Sequence, residues 1–426
     1  MSKNNVTTNA TSDPLYWKKI VVILCLGWAV IWIYRTILTP IFPEIQNTIG
    51  AHSDAEMGLI ASVYFFSYTG MQIPAGMLVD RFGKKVVLIP GFCLFIIATL
   101  LIGNASSLSM IYAGSLLAGI GCGSYYGSAY SLSSENIPLE RRGFATAVIN
   151  SGSALGMAIG LIASSLLVKS MEMDWQLMMF IITAMLVIMT VVFAVVIKGG
   201  SYAQSQATTS SGPAAVTEEE TAPQSSGLFS ARMVSAYVMY FATCYGYYMI
   251  VTWLPSFLQQ ERGFEGVAIG FSAALVAFAS VPGALFFSRM SDRFRSKKVQ
   301  LIIFLEICAA VMLVCTVISP DSTILLVSLI LYGLLGKLAV DPILISFIAD
   351  NAPKKGYGTS FGVFNFFGML SSVIAPFLTG MISDSTGSKV MGFYISAAIL
   401  LVGTIIFFAI NVLMKQKNDR QTPVQA

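Results

Sequence analysis

Charged residues, glycines and prolines cut this chain of 426 residues into apolar runs that are each about as long as a membrane is thick. A bilayer core of about 30 Å takes roughly 20 apolar residues per helix. Twelve runs qualify, at approximately 18–42, 56–79, 85–103, 107–133, 143–168, 176–197, 232–258, 266–288, 298–318, 322–349, 358–382 and 390–414. Lipid offers no hydrogen-bond partners to the backbone, so runs of this length are expected to be helices. Charged residues make up 11% of the chain and hydrophobic ones 56%, whereas soluble domains carry about 25% charged residues. So little polar surface excludes a soluble enzyme, a disordered scaffold and a nucleic-acid binder. The expected fold is an all-α membrane protein with twelve transmembrane helices. The six cysteines all lie in apolar runs, and His52 is the single histidine, so neither a metal site nor a cofactor is expected.

The connections are short, with one exception. Residues 198–227 are rich in Gly, Ser, Thr, Ala and Pro, carry Glu218 to Glu220, and hold Tyr202 and Val216 as their only large apolar residues. Such a segment cannot bury enough surface to fold, and a disordered linker is expected. It divides the chain into a tail (1–17), a six-helix bundle (18–197), a second bundle (228–414) and a tail (415–426). The first apolar run is too long for a signal peptide and is expected to be retained. Of the 25 lysines and arginines, Lys169, Arg262 and Lys389 fall in the loops of one side, Arg35 and Lys337 fall within spans, and all others lie on the opposite side. By the positive-inside rule both termini and the linker are expected in the cytoplasm.

The halves also repeat. Gly76, Asp80, Arg81, Gly83, Lys84 and Lys85 follow the second span; Ser288, Asp292, Arg293, Lys297 and Lys298 follow the eighth. A tandem six-helix repeat fits a parallel-repeat transporter plan. The first stretch resembles the signature loop G-x-x-x-D-R-x-G-R/K-K of the major facilitator superfamily, and the second is a weaker copy of it. Within that family the chain resembles the anion:cation symporter branch, which holds hexuronate, galactonate and sialic-acid carriers. The resemblance rests on Tyr34-Arg35-Thr36, on Pro138 to Gly143 with Glu140, Arg141 and Arg142, and on the stretch from Gly358 through Asn365 and Pro376 to Asp384 and Gly387. Two positions depart from the pattern: Ser115 and Cys122 stand where an arginine and a proton-coupling glutamate are common. The resemblance implies a conformational gate at the cytoplasmic helix ends, formed by Asp80, Arg81, Lys84, Asp292 and Arg293. Glu135 and Arg142 are read as further gate or loop charges.

Two buried cations dominate the functional reading. Arg35 is followed by a largely apolar stretch, Thr36 to Phe42, so it lies well inside its span. A charge there costs about 2.5–3.5 kcal/mol by insertion scales unless it meets a cavity or a partner. Its planar fork of donors suits a carboxylate, which makes it a candidate anion clamp; the alternative is a snorkelling side chain. Lys337 and Asp341 are four residues apart on one helix face and can neutralise each other. A substrate anion competing for Lys337 would leave Asp341 without its partner, which makes Asp341 the candidate proton-coupling residue. Pro342 leaves the Leu338 carbonyl without its helical donor. Tyr34, Tyr64, Tyr68, Tyr126, Tyr240, Tyr247 and Asn365 are candidate substrate-binding groups, although each tyrosine alone fits helix packing as well. Gly152, Gly156 and Gly160 recur every fourth residue and are read as a close-packing face. Glu306 is read as structural or at the lipid edge.

These features predict secondary active transport of a small organic anion, a carboxylate by preference, by alternating access and proton symport. The expected setting is a monomer in a bacterial inner membrane, with no partner besides lipid and substrate. Organic-phosphate or anion exchange and proton-coupled drug export are the alternatives. A non-transporting receptor is disfavoured because no extended soluble domain accompanies the spans, and no nucleotide-binding GxxxxGK[ST] motif is present.

Overall fold

The computed structural model describes residues 15–137, 142–198, 227–352 and 357–421, and these form helices joined by short turns, without strands. Fourteen α-helices occur among them. They are α1 Tyr16–Ile37, α2 Phe42–Ile49, α3 Asp54–Phe82, α4 Lys84–Gly103, α5 Leu108–Asn136, α6 Arg142–Ser164 and α7 Trp175–Val196, then α8 Ala231–Arg262, α9 Val267–Arg293, α10 Lys298–Ile318, α11 Ser322–Leu335, α12 Lys337–Asn351, α13 Tyr357–Thr386 and α14 Val390–Gln421. Ten helical stretches are long and apolar enough to cross a membrane. The helices α3 and α8 have the length, at 29 and 32 residues, but not the same apolarity. They carry many of the polar and aromatic groups described below.

Local chemistry explains several boundaries. Helix α3 starts with a capping box: the Ser53 hydroxyl accepts from the Glu56 N–H at 3.2 Å, and Glu56 Oε2 accepts from the Ser53 N–H at 2.9 Å. Helix α8 ends at Gly263, whose φ of +67° few other residues adopt. Two expected spans are not continuous. The first ends at Ile37 and gives way to a 3₁₀ turn, Thr39–Ile41, and the short α2. The tenth breaks at Gly336, which takes extended backbone between α11 and α12.

Before the linker, α1 packs on α6, and α5 packs on α3 and α4; after it, α8 packs on α13 and α14, and α9 on α11 and α12. The close approach of α1 and α6 follows from the glycine series. A Cβ at Gly152 would overlap the Cys25 carbonyl, one at Gly156 the Ala29 carbonyl, and one at Gly160 the Thr36 hydroxyl. In lipid, where apolar contact alone does not drive association, such approach is what holds helices together. Two seams join the groups, α3 on α13 and α6 on α9. Helix α8 is central: every residue from Ala242 to Leu258 is buried. Helix α7 is peripheral, with Val187, Ile188, Val191 and Val195 exposed along one stripe.

Candidate functional site

Arg35 lies one turn from the end of α1, where α3 and α5 wrap its guanidinium. Its Nε donates to the Tyr64 hydroxyl at 2.9 Å, and Nη2 lies 4.0 Å from Cys122 Sγ. Its Cζ stands 4.5 Å from the centroid of Tyr68 and 5.0 Å from that of Trp32. Tyr64 and Tyr68, one helical turn apart, are stacked at 8° with centroids 6.1 Å apart. Tyr34 packs on Tyr64 at 5.5 Å, and Tyr126 packs on Trp28, whose ring lies 5.6 Å from Arg35 Cζ. The side chain therefore turns into the protein and does not snorkel.

No carboxylate pairs with Arg35 among the described residues. Aromatic faces offset part of the cost of a buried cation, and the remainder is an attraction for an anion. Cys122, where a coupling glutamate is common, presents a thiol to the guanidinium and leaves its charge in place. Tyr34, Phe42, Ile60, Tyr64 and Ser115 join Arg35 around a cavity of about 30 Å³. That volume holds water-sized molecules only.

Lys337 opens α12 immediately after the Gly336 break. Its Nζ donates to Asp341 Oδ2 at 2.5 Å, with side-chain exposures of 8% and 18%. The ammonium also lies 5.3 Å from the Tyr247 ring and 5.7 Å from the Tyr240 ring, and Tyr240 stacks on Phe364 at 4.0 Å. Asp341 Oδ1 has no hydrogen-bond partner. The pair is neutral, yet half of the carboxylate remains unsatisfied.

Aromatic contacts link the two cations. Trp32, beneath Arg35, meets Tyr247, beside Lys337, edge to face at 6.2 Å. Phe65, 5.3 Å from Arg35 Cζ, meets Tyr248 at 4.8 Å. The fold thus gathers Tyr34, Tyr64, Tyr68 and Tyr126 around Arg35, and Tyr240 and Tyr247 around Lys337. Asn365 lies elsewhere: its Nδ2 donates to Gln72 Oε1 at 2.7 Å, a contact between α13 and α3. The sequence reading did not single out Phe65 or Gln72. Phe65 follows Tyr64 directly, but a lone phenylalanine in an apolar span carries no signal.

The side chains of Asp80, Glu135, Arg142 and Asp292 lie outside the described residues. Arg81 and Arg293 are exposed, each 5–6 Å from the ring of the next residue, at 5.2 Å for Phe82 and 5.7 Å for Phe294. Lys84 opens α4.

Among the described residues, a set of charge contacts between the helix groups lies at the other end of the helices. Asp384 on α13 accepts from the backbone N–H groups of Asp54 and Ala55, at 2.7 and 2.9 Å. Lys389 Nζ donates to Asp54 Oδ2 at 2.8 Å and to Gln260 Oε1 at 2.7 Å. Lys169 Nζ donates to Glu44 Oε1 at 2.7 Å and to Gln259 Oε1 at 2.8 Å. The backbones also touch there: a Cβ at Gly58 would overlap the Pro376 carbonyl, one at Gly380 the Asp54 carbonyl, and one at Gly270 the Leu161 carbonyl.

One expectation is corrected. Glu306 is not at the lipid edge; it is 0% exposed on the inner face of α10.

A sequence profile of the Major Facilitator Superfamily matches residues 24–376 and, overlapping, 236–426. The chain belongs to that family of multi-pass membrane transporters and is not an enzyme. It is 26% identical to the probable sulfoacetate transporter SauU of Cupriavidus necator over 93% of this chain and 94% of the relative. Identity to the D-galactonate transporter of Escherichia coli O6:H1 is 25%, over 91% and 92%. Identity to the probable galactarate/D-glucarate transporter GudP of Bacillus subtilis is 26%, over 90% and 89%. In fold, the chain matches a bacterial homologue of the human lysosomal transporter Spinster in its inward-facing, unoccupied conformation. That match has a TM-score of 0.75 and 14% identity, and covers 97% of this chain and 100% of the neighbour.

Proposed function

We propose that this protein is a secondary active transporter that carries a small organic anion, a carboxylate or sulfonate, across a bacterial inner membrane by alternating access. The observation that carries this reading is Arg35, a half-buried guanidinium with aromatic faces around it and no carboxylate partner among the described residues. Lys337 supplies a second cation from the other helix group, and the Trp32–Tyr247 contact lies between them. Relatives named for sulfoacetate, D-galactonate and galactarate/D-glucarate transport support the anion class.

In this reading the twelve spans form two six-helix bundles, 18–197 and 228–414, with both termini and the 198–227 linker in the cytoplasm. The seam holding Asp54, Asp384 and Lys389 then faces the periplasm. Its closure, with the match to an inward-facing neighbour, supports an inward-facing state. The bundles rock about the paired cations. The seam opens to admit an anion, which takes Lys337 from Asp341, and Asp341 then accepts a proton. Symport follows because anion and proton load together. The motif charges Asp80, Arg81, Lys84, Asp292 and Arg293, with Glu135 and Arg142, bias the opposite gate. Contacts made in one state and lost in the other set such an equilibrium.

A thermal-shift screen of purified protein with sulfoacetate, D-galactonate, D-glucarate and glycerol phosphate tests the reading. A ligand at 100 times its Kd stabilises by about 2.7 kcal/mol. A shift with the carboxylates or sulfonate is expected; a shift with glycerol phosphate alone would favour phosphate exchange. An epitope placed between residues 198 and 227 should be reached by antibody in inside-out vesicles only.

A further inference from the structure

Glu306 has no role in the transport reading above, and its surroundings are unusual. It sits mid-way along α10, fully buried, and neither carboxyl oxygen has a hydrogen-bond partner. Helix α10 packs against α11, α12 and α14. From α12, Asp341 and Lys337 interact with Glu306 electrostatically; Tyr332 on α11 and Thr243 and Cys244 on α8 also face it. The apolar span of α14, Val390–Asn411, contributes Tyr394 as its only titratable group, and that side chain is 37% exposed. Lys298 on α10 itself is paired elsewhere, with Asp350 at 2.5 Å.

The cation that acts on Glu306 is therefore one already engaged by Asp341. Lys337 is bonded to Asp341, which leaves Glu306 with no cation of its own among the described residues and only the Thr243 hydroxyl to favour its charged form. An isolated carboxylate taken out of water is so costly that such a group neutralises instead. Two carboxyl groups sharing one site also resist ionising together. A protonated Glu306 leaves Lys337 free of a second claim. An ionised Glu306 adds a negative charge beside the lysine, which holds the ammonium and repels an arriving anion.

We propose that Glu306 is a proton-binding site of the transport cycle: it holds its proton more tightly while an anion occupies Lys337 and less tightly once the anion has left. The proton moves to water on the cytoplasmic side, and Lys337 returns to the carboxylates. Glu306 then carries a proton in addition to the one that Asp341 accepts when the substrate displaces it from Lys337. This rests on the anion-transport reading above, and the test separates the two.

Infrared difference spectroscopy of the full-length protein between acid and alkaline pH needs no substrate. A protonated-carboxyl band is expected in the wild type, lost in Glu306→Gln and displaced in Glu306→Asp. No such band in the wild type, or an unchanged band in Glu306→Gln, overturns the assignment. In proteoliposomes, with D-galactonate and sulfoacetate as probes, Glu306→Gln should exchange the anion yet lose accumulation under a pH gradient by about tenfold. Accumulation at the wild-type level would overturn the coupling role. If the wild type exchanges neither probe, the anion reading has failed, and the infrared result still decides on Glu306. If Glu306→Gln does not reach the membrane, Glu306→Asp carries the test: its band and the pH profile of accumulation should both move, and neither moving overturns the proposal.

Discussion

Asp384 closes the first turn of a helix in the other half of the protein. Its two carboxylate oxygens accept from the backbone N–H groups of Asp54 and Ala55, at 2.7 and 2.9 Å, where α3 begins. Those donors have no partner within their own helix, and a negative charge at a helix N-terminus is favourable. Lys389 adds a bond to Asp54 from the same half as Asp384. The arrangement is a latch: it exists only while the two helix groups meet at this end.

Asp384→Asn removes the charge, and only one side-chain oxygen remains to accept. The latched state should lose population by about threefold, the scale of a solvent-screened charge contact. Spin-label distances between the start of α3 and the end of α13 measure it, and a broader, longer distribution is expected. An unchanged distribution would mean that backbone contact alone keeps the seam shut.

Arg35→Lys keeps the charge and loses the planar fork. Anion binding should weaken by about 1.5–3 kcal/mol, the worth of a charged hydrogen bond. Calorimetric titration with the anion found in the screen gives the number. Wild-type affinity in well-folded Arg35→Ala would rule out the clamp.

Asp341→Asn should still bind and exchange the anion but fail to concentrate it against a gradient. A counterflow assay beside a pH-gradient uptake assay separates the two outcomes. Normal accumulation would make the pair structural. Loss of folded protein would point the same way, because breaking a buried ion pair costs about 3–5 kcal/mol.

Gly156→Val and Gly270→Val should fail differently. The first overpacks α1 against α6 and should lower stability by about 1–3 kcal/mol, read as an earlier thermal transition. The second wedges α9 from the Leu161 carbonyl, in the seam between groups. It should leave the protein folded and the latch open, seen as labelling at the helix ends around Asp384. Equal thermal losses in both would argue against a separable seam.

Much of the candidate site is legible in the chain because charge inside an apolar span is costly and so conspicuous. Arg35, Lys337 and Asp341 stand out on that ground alone, and the four-residue spacings of Tyr64 with Tyr68 and of Lys337 with Asp341 give the shared faces that the structure bears. Glu306 is equally conspicuous, but the chain does not tell its two readings apart, inside the protein or at the lipid edge. Helix α10 is apolar all round, so periodicity does not tell its lipid face from its protein face; lipid and core look alike to a side chain. The break at Gly336 was also hidden, since a glycine within an apolar run is tolerated in many helices.

The sequence by itself determined that the chain is a bundle of membrane helices, that a charged motif recurs after the second and eighth runs, and that two cations and an acid lie within apolar runs. Hydropathy, charge bias and helical spacing are local properties, and a chain displays them without folding. Tertiary structure alone decided which groups meet: Cys122 with Arg35, Tyr247 with both Trp32 and Lys337, and Asp384 with the start of α3; it also decided that Glu306 is buried. Those partners come from helices far apart in the chain. Their meeting depends on how each helix is rotated about its axis, which is set by the glycine contacts and ring packing of the whole assembly.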